Sequence, residues 1–328
     1  MTDRPDRVAV LAIILLTIVA VALGVRTGYH TVDVDEVVFH NTLTAMRDGR
    51  GYYPAMRDAL VAKEGAAPSQ IRSVRPPTLY LVLARFPPPW WRYLVGAVYL
   101  ATMALAWRLA RPLHAYGGPV AVVLSGMWML GASPVLFLHT ELWGVPFLLG
   151  GALAMRHERW AAAAAALAGA AVLRELYVLP LVIGFLVAPR RRPWLVALGV
   201  VGVLGLVHVD LARAILSTQG REAGFGASHG LSLRYVLNAV GPSDRPLGWL
   251  VGLGGLTLGA IGLHARWGDD PAARLLLPFA AVMVPLTVLI GREYWGLVFG
   301  PALACFVPAG LDRLVAYRAR TGARNCPV

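Results

Sequence analysis

Long apolar runs, separated by arginines or by polar loops, recur from one end of this chain to the other. A helix that crosses a bilayer needs about 20 apolar residues, so a chain built mainly of such runs is predicted to be an all-α polytopic membrane protein. We predict about ten transmembrane helices in a single transmembrane domain, residues 1–328. The predicted spans are Val8–Val25, Trp90–Trp107, Val120–Ser133, Leu142–Met155, Trp160–Leu173, Leu176–Ala188, Trp194–Leu211, Leu247–Leu263, Leu275–Ile290 and Trp295–Leu311.

The composition excludes several other classes of protein. Hydrophobic residues make up 57% of the chain and charged residues 15%, which excludes a water-soluble enzyme, a disordered chain and a fibrous protein. Two cysteines, Cys305 and Cys326, are too few for a disulfide scaffold. The formal charge of +12 is read as membrane topology and not as a nucleic-acid signal, because Lys63 is the only lysine and the arginines lie mostly between apolar runs.

The order of the arginines sets the expected orientation. With a cytoplasmic N-terminus, every short inner loop carries arginines, as the positive-inside rule requires. Both termini are then cytoplasmic in a multi-pass protein of the cell's inner (plasma) membrane, with a basic cytoplasmic tail at residues 312–328. The first run, Val8–Val25, fits an uncleaved span better than a signal peptide because of its length. Two loops are predicted on the extracytoplasmic side, at residues 26–89 and 212–246.

The first of these loops contains its own structure signals. A helix is predicted from Asp35 to Met46, ended by Gly49 and Gly51. The later apolar stretch Thr78–Phe86 is too short to span and is predicted to be a re-entrant or juxtamembrane helix in the membrane interface.

Glycines recur in two of the later spans. At helical spacing in lipid, such glycines are typical of close helix packing. The residues concerned are Gly199, Gly202, Gly205, Gly252, Gly255 and Gly259.

Ionisable residues gather at the outer ends of four separate predicted spans. Charges beside apolar spans are costly and tend to mark function, so four such junctions on one membrane side predict a shared polar cavity that opens outward. The residues at these junctions are Asp33, Asp35, Glu36, His139, Glu141, Arg174, Glu175, Arg292 and Glu293.

Each candidate also has a purely structural interpretation. Asp33 and Glu36 form a capping-box pattern, and Glu141 suits the positive end of a helix dipole. The pairs Arg174–Glu175 and Arg292–Glu293 would close tight helical hairpins as ion pairs. Tyr53 is typical of a membrane-interface anchor as well as of a sugar-binding platform.

No metal motif or phosphate-binding loop is present in the sequence. Carboxylates could hold a divalent cation such as Mg²⁺ or Mn²⁺, with Asp35 and Glu141 as its ligands, but their spacing does not decide whether one is bound.

Several short motifs in order resemble a known family. One span is followed by an outer loop with the acidic pair Asp35-Glu36, a helix, and the segments 51–54 (Gly-Tyr-Tyr-Pro) and 75–77 (Arg-Pro-Pro). Together with Thr140-Glu141 and Leu173-Arg174-Glu175, this order resembles the GT-C superfamily of polytopic glycosyltransferases. It is similar to lipid A aminoarabinose transferases, protein O-mannosyltransferases and actinobacterial arabinosyl- and mannosyltransferases, over roughly the first 190 residues.

The resemblance implies a specific reaction. A GT-C enzyme takes a sugar from a polyprenyl-phosphate donor and transfers it, with inversion, on the extracytoplasmic face. Asp35 would be the general base, with Glu36 as a second catalytic candidate. Arg174 or Arg292 would bind the donor phosphate, with Arg75 and Lys63 as weaker candidates. The remaining site candidates are His139, Glu141, Glu175, Glu293 and Tyr53.

Without a soluble C-terminal domain, a lipid or short-glycan acceptor is favoured over a protein. The other expected partners are membrane lipids and not nucleic acid.

Two other functions stay open from the residues alone. A transporter or flippase for a lipid-linked sugar would use the same cavity without chemistry. A non-catalytic partner in cell-envelope assembly is the third alternative.

Overall fold

Helices form all of the regular secondary structure in the computed structural model, which describes residues 4–26, 34–64, 74–136, 139–216, 246–290 and 296–324. Two short 3-10 helices, Arg111–Leu113 and Glu175–Tyr177, join longer elements. In chain order, the α-helices are α1 (Arg4–Arg26), α2 (Val34–Arg47), α3 (Tyr52–Glu64), α4 (Thr78–Leu83), α5 (Pro88–Ala110), α6 (Gly117–Leu136), α7 (Thr140–Arg156), α8 (Trp160–Leu173), α9 (Val178–Val187), α10 (Arg192–Arg213), α11 (Pro246–Ala265), α12 (Pro271–Ile290), α13 (Gly296–Ala304) and α14 (Val307–Arg324).

Three helical segments in the described residues are long and apolar enough to cross a membrane: Pro88–Leu113, Arg192–Arg213 and Gly248–Ala265. The bent pair α13 and α14 would add a fourth if it forms one span. Only 17% of the 18-residue apolar stretch of α10 is buried inside the protein. An apolar surface of this extent on a helix suits contact with lipid.

The first nine predicted spans each coincide with helical structure, and the tenth does not form one straight helix. The run Trp295–Leu311 breaks between Ala304 and Val307, where α13 and α14 meet at a bend of 51°. Pro308 explains the break, because it has no N–H to donate to the carbonyl of Ala304 and its ring would clash with that carbonyl. Most of the predicted tail, 312–328, is the helical end of α14. The number of membrane crossings stays a prediction.

The first predicted loop folds into helices α2, α3 and α4. The helix expected from Asp35 to Met46 is confirmed as α2, and Gly49 follows it with φ +91°, a left-handed conformation that glycine adopts without strain. The six-residue α4 begins at Thr78, as expected. Helix α3 was not predicted; Pro54 lies in its first turn, where proline is tolerated. Of the second predicted loop, 212–246, only the ends lie inside the described residues.

Ion pairs hold several helix termini together at one end of the helical body. Arg111 lies 2.8 Å from Asp6, which also accepts a hydrogen bond from the Trp107 indole at 3.3 Å. These contacts hold the start of α1 against the end of α5.

The same end contains a second ion pair, which is more buried. Arg156, at the end of α7, contacts Asp270 just before α12 through its Nε at 3.0 Å and also through Nη2, and it donates to the carbonyl of Leu109. Its guanidinium lies 5.7 Å from the ring centroid of Phe306. Arginine-bearing turns that were predicted to share one side of the membrane therefore share one end of the protein.

Glycine packing differs between α10 and α11. A Cβ on Gly262 would come within 2.0 Å of the Phe306 carbonyl oxygen, and one on Gly259 within 2.7 Å of the Leu303 carbonyl, so α11 meets the α13–α14 break at backbone distance. The prediction for Gly199, Gly202 and Gly205 was wrong, as was that for Gly255: a Cβ there meets nothing within 4 Å. Gly199, Gly202 and Gly205 are exposed because no described helix covers that side of α10, whereas Gly255 lines a small cavity with Trp128 of α6 and Leu303 of α13.

Candidate functional site

A buried ion pair joins Glu141 and Arg174 at the opposite end of the helical body. Glu141 lies in the first turn of α7, and Arg174 occupies the extended residue that separates α8 from the 3-10 helix Glu175–Tyr177. Arg174 Nε is 2.8 Å from Glu141 Oε1, a close ionic contact in which the N–H is not aligned as a hydrogen bond. Glu141 is 0% exposed and Arg174 2% exposed. Charges this deeply buried must be paired to be tolerated.

Arg174 also binds a second carboxylate that faces solvent. Its Nη1 lies 2.6 Å from Glu175 Oε1, and the Glu175 side chain is 54% exposed. The guanidinium therefore bridges an interior carboxylate and an exterior one. The ion pair that the sequence suggested for Arg174 and Glu175 is present, as one half of this bridge.

Three further polar residues surround the Glu141 carboxylate. Its Oε2 lies 3.9 Å from His139 Nδ1 and 3.4 Å from the Thr140 hydroxyl, and Arg75 is among its electrostatic neighbours. His139, Thr140 and Arg75 are all buried. The structure thus brings together residues from the first loop, from the start of α7 and from the end of α8. We call Arg75, His139, Glu141 and Arg174 the polar cluster.

Tyr177 holds the backbone of Glu141 in place beside the polar cluster. Its hydroxyl donates to the backbone carbonyl of Glu141 at 2.7 Å. Its ring lies so close to Gly144 that a Cβ there would come within 2.1 Å of the ring. The glycine therefore lets the 3-10 helix dock directly on the first turn of α7.

Aromatic side chains from the first loop cover the polar cluster. The Phe39 ring of α2 meets the His139 ring edge-on at 5.3 Å, and the Arg75 guanidinium lies 6.0 Å from the Phe39 centroid. The Tyr80 ring lies 5.6 Å from Phe39, and the Tyr52 hydroxyl donates to the Arg75 carbonyl. Burial, above all, raises the pKa of Tyr52 well above its usual value. Sequence reasoning missed Phe39 and Tyr80, although Phe39 follows Asp35 by one helical turn.

The predicted general base lies at the edge of the described structure. Asp35 and Glu36 are in the first turn of α2, and their side chains lie outside the described residues. Position 35 precedes Phe39 by four residues, so it shares the helix face that carries Phe39, roughly 6 Å further along the axis. Arg292 and Glu293 also lie outside the described residues.

Tyr53 contacts α10 and not the polar cluster. Its hydroxyl is 3.0 Å from His208 Nδ1, while His208 Nε2 is 3.2 Å from the Val74 carbonyl. Because a carbonyl only accepts, Nε2 carries the proton and the Tyr53 hydroxyl donates to Nδ1. Burial raises the pKa of Tyr53. Sequence reasoning missed His208, for which the signal was a histidine inside an apolar run.

Lys63 lies in the last turn of α3 with an exposed side chain, outside the buried polar cluster. It is therefore a weaker phosphate-binding candidate than the two buried arginines.

The polar cluster does not fit a divalent cation. Within the described ranges, no group of three or more His, Cys, Asp or Glu residues is placed to hold a metal ion. A cation on Glu141 would have to displace Arg174 from the carboxylate, and the other suggested ligand, Asp35, has no described side chain.

No known protein family, curated protein or solved structure matches this chain. The resemblance to the GT-C superfamily therefore stays a prediction from the residues.

Proposed function

We propose that this protein is an integral membrane glycosyltransferase of the GT-C type. It transfers a sugar from a polyprenyl-phosphate donor to a lipid or glycan acceptor on the extracytoplasmic face, with inversion. The observation that supports this most is the polar cluster itself, in which two arginines, a histidine and a glutamate from distant chain segments are buried together. Such a concentration of buried charge is costly and is typical of a functional site.

The proposed orientation follows from the two ends of the helical body. Two ion pairs, Asp6–Arg111 and Arg156–Asp270, lie at the end that carries the arginine-rich turns. The positive-inside rule assigns this end to the cytoplasm. The polar cluster lies at the other ends of α7 and α8. In this topology, with about ten spans, the polar cluster faces the extracytoplasmic side beneath helices α2, α3 and α4.

Arg174 is the proposed anchor for the donor phosphate, with Arg75 beside it. Glu141 holds Arg174 from the interior, whereas the exposed Glu175 occupies Nη1 from outside. A phosphate oxygen can replace the Glu175 carboxylate there, because guanidinium and phosphate match in charge and geometry. Two guanidinium groups would then stabilise the charge that develops on the leaving phosphate.

Asp35 is the proposed general base. Its carboxylate takes the proton of the acceptor hydroxyl as the acceptor oxygen forms a bond to the anomeric carbon. The bond between that carbon and the phosphate oxygen breaks, and the polyprenyl phosphate leaves with the bonding electrons. The position of Asp35 one turn before Phe39, which covers His139, supports this role.

The test is transfer of a labelled sugar from a polyprenyl-phosphate donor by the purified protein. We expect Asp35→Asn to lower turnover by about 10²- to 10⁴-fold without unfolding the protein. Asp48→Asn is the matched control, because Asp48 follows the other end of the same helix and is exposed. Unchanged turnover in Asp35→Asn would contradict the proposed mechanism, and donor binding with lipid translocation but no transfer would favour a flippase.

Glu175 provides a second test of the same site. Glu175→Gln removes the carboxylate that competes with phosphate for Arg174, so donor binding should become several-fold tighter at low salt. Arg174→Gln should abolish the effect of Glu175→Gln. Weaker donor binding in Glu175→Gln would show that Arg174 does not bind the phosphate at this position.

A further inference from the structure

The C-terminal helix α14 leaves the helical body after its first turn. Residues 307–310 are buried against α11, where a Cβ on Gly310 would come within 2.0 Å of the Leu258 carbonyl oxygen. Residues 311–319 are exposed. The helix bends by 51° from α13, so its exposed part does not continue the direction of the preceding segment.

The exposed part of α14 is amphipathic. At 100° per residue, Leu311, Leu314 and Val315 share one face of the helix. Arg318 lies on the same face one turn further on, where its apolar stem can lie along the membrane boundary while its guanidinium reaches the headgroups. The register places Arg313, Arg320 and Arg324 on the opposite face. Leu314 is 40% exposed and Val315 is 68% exposed. An apolar face that is followed and opposed by arginines is typical of a helix that lies in a membrane interface.

Contacts near the start of the exposed part of α14 show where along the protein its amphipathic surface begins. Asp312 pairs with His114 at 3.6 Å, in the connection between α5 and α6. Two residues later, Tyr116 is largely exposed, and Trp267 is exposed in the turn between α11 and α12 at the same end. Exposed tyrosine and tryptophan at the ends of apolar helices mark the headgroup level of a bilayer.

We propose that α14 binds the anionic headgroup surface of the membrane leaflet at the arginine-rich end of the protein. The apolar face enters the boundary between headgroups and acyl chains, and Arg318 together with the arginines on the other face contacts lipid phosphates. Charge complementarity favours this occupant, because each arginine near an anionic leaflet favours the bound state by about fivefold. This role is independent of the proposed sugar transfer.

The test compares two labelled variants of the full chain, with Cys326 replaced by serine and the buried Cys305 kept. Val315→Cys places a fluorophore on the apolar face, and Ala316→Cys is the matched control on the adjacent polar side. The protein is reconstituted in phosphatidylcholine alone or with about one-third phosphatidylglycerol. Accessibility is measured as quenching by aqueous iodide, corrected for the effect of vesicle charge on iodide with a label at Tyr116→Cys.

In anionic bilayers we expect the label at 315 to be quenched at least about threefold less than the label at 316, with a blue-shifted emission. Replacing Arg313, Arg318, Arg320 and Arg324 with glutamine should remove the dependence on anionic lipid. Equal quenching at 315 and 316 in both bilayers would overturn the proposal. Shielding at 315 that ignores lipid charge and disappears on dilution of the protein in the bilayer would overturn it too, and would show contact with a second copy.

Discussion

The buried pair Glu141–Arg174 makes a quantitative prediction about stability. Removing one partner from a buried ion pair costs about 3–5 kcal/mol, because the other charge is left without compensation. In Glu141→Gln, Arg174 keeps its contact with Glu175 at 2.6 Å, so the cost should lie near 3 kcal/mol. In Arg174→Gln, Glu141 keeps Arg75 as an electrostatic neighbour, with His139 at 3.9 Å and Thr140 at 3.4 Å, but loses its closest cation. The cost should therefore lie in the upper part of that range, at about 4–5 kcal/mol.

A double-mutant cycle measures the coupling directly. The double variant should be more stable than the sum of the single losses predicts, by about 1–3 kcal/mol, because neither charge is then left unpaired. The assay is unfolding in mixed micelles of detergent and dodecyl sulfate, followed by circular dichroism. Glu175→Gln is the control, with an expected change below about 1 kcal/mol, because that carboxylate is solvent-exposed. Additive losses, or a change under about 1 kcal/mol in Glu141→Gln, would refute the assigned role of the pair.

Three further predictions concern other parts of the structure. Asp270→Ala should destabilise the protein by about 3–5 kcal/mol in the same assay, because it leaves Arg156 without its carboxylate; a loss below about 1 kcal/mol would contradict this. Gly262→Ala should impair folding, measured as the yield of monodisperse protein, because a Cβ meets the backbone at 2.0 Å, whereas Gly202→Ala, with open space around it, should be neutral or stabilising by up to about 1 kcal/mol. Burial raises the folded-state pKa of Tyr52, so its contribution to stability is complete below about pH 10 and falls as the pH rises toward the folded value. Tyr52→Phe should therefore reduce the loss of stability above about pH 10, and an unchanged alkaline profile would argue against this assignment.

Much of the helical pattern could be predicted from the order of residues. The bounds predicted for Trp160–Leu173 are those of α8, because arginines border the apolar run on both sides and leave no choice of ends. Gly49 ended α2 as expected, since its left-handed conformation is read directly from residue type. The break before Val307 was missed because the run is apolar throughout, and only the position of Pro308 relative to Ala304 reveals it.

Packing partners could not be predicted in the same way. Gly202 and Gly259 look alike in the sequence, yet only Gly259 meets another helix, since periodicity indicates a face and not what covers it. For the polar cluster, the helix ends identified Glu141 and Arg174 as candidates. Their contact with each other depends on how α7 and α8 pack, so Glu175 alone seemed the natural partner of Arg174. Phe39 and Tyr80 join the site for the same reason, by tertiary contact, and His208 meets Tyr53 outside it in the same way.

The unequal lengths of two neighbouring helices have a consequence for the bilayer around the polar cluster. Helices α8 and α10 pack together, but α8 has 14 residues and α10 has 22. At 1.5 Å per residue the difference is about 12 Å, so in the proposed topology α8 would cover only about two-thirds of a hydrocarbon core of about 30 Å. Local thinning of the bilayer is one way in which a hydrophobic mismatch of this kind is met. Lipid headgroups beside α8 would then sink toward Arg174, and a phosphate carried on a lipid chain would reach the guanidinium without leaving its leaflet.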